Sequence, residues 1–246
     1  MESLLKSTLV FLTGIFFGVA FTPPNGDPKI APRPPLDKGF TAQREWSFVW
    51  LIARILPLMR LSCYIATTNE CLFILSSAYP SVLPLFYRTS SSQFITFPFL
   101  LGALLTICGG TLRILCYRAL GAGFTFEMVQ AGKRSKTVEL AQNPKLVTHG
   151  PYSIVRHPSY VGSWMCWIGL SLVQLDQGSW IRESGFYDHS LFGKALVWVL
   201  EIIMAFGMVN LLVRVEPEDK MIHKQFGKEW EEWAKRVRWK MIPGIY

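Results

Sequence analysis

The chain has 246 residues, half of them hydrophobic and only 17% charged, with a mean hydropathy of +0.28. That is long enough for one domain and too apolar for an ordinary soluble one. A net charge of +8 would suit nucleic acid, but Lys and Arg cluster beside apolar runs with no basic stripe of interleaved aromatics, which argues against that partner and for a membrane surface.

In chain order, Leu4 to Phe21 is an apolar run interrupted only by Lys6 and small polar residues, close to the ~20 residues that cross a bilayer. It reads as a first span or, from the small residues Gly18-Val19-Ala20, as a signal peptide. Thr22 to Arg44 carries six prolines and reads as an extended connector. From Glu45 to about Tyr79 an apolar pattern resumes with Arg54, Arg60, Asn69 and Glu70 inside it. It is either one tilted span with an amphipathic lead-in or a helix broken at Pro57. Phe94 to Leu120 is a clear span whose Gly102, Gly109 and Gly110 allow close helix approach and whose exit is marked by Arg113 and Arg118. Gly121 to Pro158 is the longest polar segment; Ser159 to about Leu175 and Leu191 to Val213 are two further spans, the last carrying Glu201 and Asn210.

Basic residues number four in the Pro-rich connector, one after the second span, five in the central loop, one between the last two spans and eight in the tail. By the positive-inside tendency the connector, central loop and tail share the cytosolic face and five spans cross the membrane. A signal peptide in place of the first span would strand the basic connector outside. In the tail, Ile222, Phe226, Trp230, Trp233 and Val237 recur at helical spacing, which predicts an amphipathic interfacial helix. The expected fold is therefore an all-α integral membrane bundle of about five transmembrane helices, with a cytosolic central loop and a C-terminal amphipathic helix. It forms one domain over 1–246, with N-terminal spans and connector in 1–120.

The chemistry concentrates in His149-Gly150-Pro151-Tyr152 and Arg156-His157-Pro158-Ser159-Tyr160. Two breaker pairs there should leave Tyr152, Arg156, His157 and Tyr160 on irregular backbone at the membrane surface. The structural alternative is the start of a helix, with Pro158 in its first turn and Arg156 reaching toward phosphates. A second polar cluster, Arg214-Val215-Glu216-Pro217-Glu218-Asp219, lies at the cytosolic end of the last span, where unpaired charges are costly. The five cysteines, Cys63, Cys71, Cys108, Cys116 and Cys166, have no CxxC pair, so neither a disulfide framework nor a metal site is expected. Trp164 and Trp167 are read as helix packing. Glu70 and Glu201, ionisable groups inside spans, are functional candidates outside the site.

Leu146-Val147-Thr148-His149-Gly150-Pro151-Tyr152, Arg156 to Gly162, Arg214 with Glu218, and Phe226-Gly227-Lys228-Glu229-Trp230 together resemble the isoprenylcysteine carboxyl methyltransferase family. Phospholipid methyltransferases share the central motif and an acidic pair, present here as Glu218-Asp219. The resemblance covers about Phe124 onward and makes 121–246 the methyltransferase core. It implies methyl transfer from S-adenosylmethionine to the C-terminal carboxylate of a prenylated cysteine at the cytosolic face of the endoplasmic reticulum, the partners being a prenylated protein and membrane lipids. Carried over by motif, Gln130, Leu146, Val147, Tyr152, His157, Tyr160 and Glu218 would hold the cofactor, and Arg214 would face the substrate. A carboxylate acceptor is already anionic, so the transfer needs positioning rather than a strong base, and Arg214 can hold it bidentately. Snorkelling for Arg214, a favourable charge near the start of a tail helix for Glu218 and a structural hydrogen bond for His157 are the bland alternatives. A phospholipid amine, a terpenoid acid or a non-enzymatic scaffold remain the competing functions.

Overall fold

The computed structural model describes residues 1–24, 40–81, 95–121 and 145–246, with side chains from Gln43 onward in the second stretch. Among the described residues every regular element is helical: α1 Glu2–Ala20, α2 Phe40–Ala78, α3 Phe97–Leu120, α4 Pro158–Gln174, α5 Trp180–Glu183, α6 Leu191–Phe226 and α7 Lys228–Arg236, with a 3-10 turn at Gly150–Ser153. Helices α1, α2, α3 and α6 are each long and apolar enough to cross a membrane. The expected fifth span is α4, whose 17 residues stand at the short end of the ~17–25 that a crossing requires. The protein is thus a multi-pass helical membrane protein.

Of the two readings of the second span, the single helix is the one observed, since α2 runs unbroken through Pro57. Two expectations need correction. The last span does not stop at Val213: α6 continues to Phe226 through Pro217, so Glu218 lies inside a helix and not at the start of one. The tail stripe is not one helix either. Gly227, at φ 53, takes a left-handed conformation open mainly to glycine, leaving Ile222 and Phe226 on α6 and Trp230 and Trp233 on the nine-residue α7.

The described residues form two compact units. The first draws on Met1–Phe21, Leu58–Thr111 and Ser163–Ala205. Its core packs Val10, Phe73, Ile74, Phe99, Ala103 and Val173 from four helices. Small residues let those backbones touch: a Cβ on Gly169 would lie 2.5 Å from the Gly102 carbonyl oxygen, and one on Gly110 would lie 2.9 Å from Phe16. Such contacts replace the hydrophobic drive that lipid removes. The second unit draws on Thr22–Pro57, Leu112–Gly162 and Phe206–Tyr246, and all described parts of the two polar motifs belong to it.

Candidate active site

Backbone chemistry builds this site first. Gly150 sits at φ 61 and opens the 3-10 turn, with Pro151 in a position where a missing N–H costs nothing. Beyond the turn, Arg156 and His157 are too close to Pro158 to enter a helix. Their N–H groups instead donate to the carbonyls of Trp239 (3.0 Å) and Lys240 (2.7 Å). The end of the chain is thereby tied to the motif that precedes α4. Trp233 adds a further tie, donating from Nε1 to the Tyr152 carbonyl at 3.0 Å. Tyr160 is not on irregular backbone as expected, because α4 begins at Pro158 and takes it into the first turn.

The side chains then converge on α6. Asp219, almost wholly buried, accepts from Arg156 Nη1 at 2.8 Å and from His157 Nε2 at 3.0 Å. Arg156 also lies over the Trp230 ring, 5.6 Å from its centroid. The neighbouring Glu218 accepts a short hydrogen bond from the Tyr160 hydroxyl, and the Tyr160 and His157 rings stack at 5.4 Å. Arg214, one helical turn before Glu218, is buried and pairs through Nη2 with Glu45 of α2 at 3.0 Å. Its guanidinium lies 5.0 Å from the centroid of the Phe48 ring. Arg214 interacts electrostatically with Tyr160, Glu218 and Glu45 alike, so these four residues form one coupled group.

Tyr152 is placed differently. It packs with Cys116, Trp233 and Val237, and Leu146 and Val147 pack against that cluster. Burial pushes its phenol well above the ordinary value, with Cys116 and Glu218 adding to the effect; it therefore stays neutral and acts by packing and hydrogen bonding. Arg113, expected to mark the exit of a span, is buried instead and donates to the Ser159 carbonyl and hydroxyl, each at 3.2 Å, and to Tyr117.

Of the sequence-predicted site residues, the structure brings His157, Tyr160, Arg214 and Glu218 together directly, and Tyr152, Leu146 and Val147 into the adjoining cluster. Gln130 lies outside the described residues. Glu45, Asp219 as the partner of both Arg156 and His157, and Trp233 as a tie to the motif were not foreseen. A carboxylate at the head of an apolar run was the available signal for Glu45. A cleft of about 510 Å³ is lined by Arg44, Trp46, Ser47, Phe48, Trp50, Leu51, Phe206 and Asn210, mostly apolar walls with a few polar groups, and it shares Phe48 with the Arg214 guanidinium.

Glu218 is a half-buried carboxylate, and Arg156 Nε and Trp230 Nε1 are buried donors without a hydrogen-bond partner, groups of the kind that a polar ligand can satisfy.

Residues 97–182, from the start of α3 through the Arg156-His157-Pro158 motif and α4, match the phospholipid methyltransferase family model. Among the chain's relatives, the protein-S-isoprenylcysteine O-methyltransferase of Dictyostelium discoideum is 30% identical over 145 residues, 59% of this chain and 49% of that one. Delta(14)-sterol reductases are also similar. That of Neurospora crassa is 24% identical over 208 residues, 73% of this chain and 41% of its own. One from Gibberella zeae is 30% identical over 125 residues, 45% of this chain and 26% of its own. The chain spans less than half the length of each of these relatives. No solved structure matches it.

Proposed function

We propose that this protein methylates the C-terminal carboxylate of a prenylated cysteine, using S-adenosylmethionine, at the cytosolic face of the endoplasmic reticulum membrane. The observation that carries this reading is the Arg214–Glu45 pair: a buried guanidinium already holds a carboxylate at 3.0 Å, beside an apolar cleft whose Phe48 lies under the same guanidinium. A prenylated cysteine has those two parts, a carboxylate and a long apolar chain.

Bound S-adenosylmethionine supplies an electrophilic methyl group on a sulfonium cation. The residues of the chain do the rest. An α-carboxyl titrates near pH ~3.5 and is an anion at neutral pH, so no base is required. Arg214 takes the acceptor carboxylate from Glu45 and orients one oxygen, which Lys would hold only as a point charge. Glu218, fixed by the Tyr160 hydroxyl, holds the cofactor by its polar groups. His157 and Arg156 position Asp219, and Phe48, Trp50 and Phe206 keep water from the apolar chain. We assign the methyltransferase core to 121–246, with Glu45 added from α2.

A second reading, reduction of a sterol double bond, is favoured by the sterol reductases among the relatives. On that reading a reduced nicotinamide cofactor would supply the hydride and the Tyr160–Glu218 pair the proton, since adding hydrogen across a double bond needs both. A phospholipid amine acceptor would need a base to remove its proton, and Glu218 would then carry that role.

The deciding experiment offers the full chain, in detergent, labelled S-adenosylmethionine and farnesylated cysteine, with Glu218→Ala as control. Base-labile methyl ester that vanishes in the variant is the expected result. Cofactor binding without ester transfers the reading to another lipidic acceptor. Sterol reduction with no cofactor binding replaces it by the second reading, and neither activity in folded protein leaves a scaffold.

A further inference from the structure

The first unit contains a cleft of about 570 Å³ that includes Trp167, Ser171 and Leu172 on α4, Asp176 just beyond it, Arg182 on α5 and Glu201 on α6. It shares no residue with the site above, and its charges do not balance. Lys6 and Glu70 lie behind it. Lys6 donates to the Gly178 carbonyl at 3.4 Å, while Glu70 accepts from the Trp180 N–H at 2.5 Å and interacts electrostatically with both Lys6 and Asp176. These two offset one another. Arg182 is paired with Asp188 at 3.7 Å, which offsets that pair as well.

Two carboxylates are left over. Glu201 accepts from Trp167 Nε1 and from Ser171 Oγ, both at 2.8 Å, and both donors are neutral. Asp176, 7% exposed, accepts from Thr96 Oγ1 at 2.7 Å through Oδ1. Its Oδ2 is buried without a hydrogen-bond partner. Among the described residues neither carboxylate has a cationic partner. Ionisable groups within a membrane-spanning frame are expensive without compensation, and a buried orphan oxygen is a position a ligand donor can satisfy. Leu172 and the Trp167 ring supply the apolar remainder, and the volume lies in the ~300–1,000 Å³ range of small-molecule sites.

We infer that this cleft binds a long-chain primary amine, its ammonium group compensating Asp176 and Glu201 and its apolar chain lying along Leu172 and Trp167. An ammonium brings one positive charge and three donors, so its charge offsets one of the two carboxylates and its remaining donors suit a second acceptor. A long-chain alcohol brings a single donor and no charge, and leaves both carboxylates unbalanced.

The test uses the full chain in phosphatidylcholine nanodiscs and a long-chain primary amine with a photoreactive diazirine in its tail. Labelling should fall on α4 and be displaced by unlabelled amine. Affinity should exceed that for the alcohol of the same chain by about tenfold. Asp176→Asn and Glu201→Gln preserve shape while removing charge, and each should weaken amine binding severalfold while leaving the alcohol unchanged. Equal affinity of amine and alcohol for the wild-type protein would overturn the proposal, as would labelling away from α4. Should the variants not fold, the wild-type comparison alone decides. Methyl transfer is read separately, so neither proposal depends on the other.

Discussion

Replacing Asp219 by Asn tests whether the second unit is held by the clamp that joins α6 to the motif before α4. The carboxylate accepts two charge-assisted bonds, from Arg156 at 2.8 Å and His157 at 3.0 Å, with its own side chain 6% exposed. Each such bond contributes about 1.5–3 kcal/mol, and one neutral bond of about 1 kcal/mol can survive in Asn. The amide nitrogen then faces a donor, so the net loss is about 2–5 kcal/mol. For a chain of this size about 2–4 °C accompanies each kcal/mol, which predicts a thermal transition in detergent lower by about 4–20 °C. In a double-mutant cycle with His157→Ala, the loss in the double variant should fall short of the sum of the two single losses by more than about 0.5 kcal/mol. A shift within about 1 °C, or strict additivity, would refute the view that His157 acts by holding Asp219.

Trp233→Phe keeps the ring packing but leaves the Tyr152 carbonyl without its 3.0 Å donor, so a loss of about 1–2 kcal/mol is expected, measured by the same transition. Gly169→Ala forces a methyl group to within 2.5 Å of the Gly102 carbonyl and should cost about 1–3 kcal/mol by overpacking. Gly207→Ala, where a Cβ meets nothing within 4 Å, should be neutral or stabilising by up to about 1 kcal/mol. Arg214→Lys should lower methyl-ester turnover more than cofactor binding; equal loss of both would contradict the substrate-facing role.

What the sequence made legible was whatever depends on one stretch at a time. Apolar run length foretold the spans, and Gly102 and Gly110 foretold close approach. The Gly150-Pro151 and His157-Pro158 pairs marked boundaries, but each opens an element, the 3-10 turn at Gly150–Ser153 and α4 at Pro158. What it hid depends on pairing across long separations. Asp219 meets Arg156 and His157 across more than 60 positions, and Glu45 near the start of α2 meets Arg214 near the end of the last span. Neither carboxylate carries a local mark of its partner. Arg113 was misplaced for the same reason: an arginine near a helix end snorkels unless a buried acceptor such as the Ser159 carbonyl waits for it. The tail stripe misled because helical spacing was counted across Gly227, whose left-handed φ resets the register.

The continuation of α6 past Val213 is what makes the two motifs one site. In an unbroken helix Arg214 and Glu218 stand four residues apart on one face, with Asp219 the next position round. One stretch can therefore present a cation toward Glu45, a carboxylate toward Tyr160 and a second carboxylate toward Arg156 and His157. Pro217 sits in the middle of that stretch. It has no N–H for the Val213 carbonyl and a ring that crowds the same turn, a penalty of about 3 kcal/mol in an isolated helix. The helix persists because its polar face is bound on both sides of the proline. Loss of the Asp219 clamp should accordingly weaken α6 first at Pro217, and hydrogen exchange of the amides from Glu218 to His223 should rise in Asp219→Asn before exchange in the membrane-embedded part of α6. Uniform exchange along the whole helix would show that Pro217 is tolerated for some other reason.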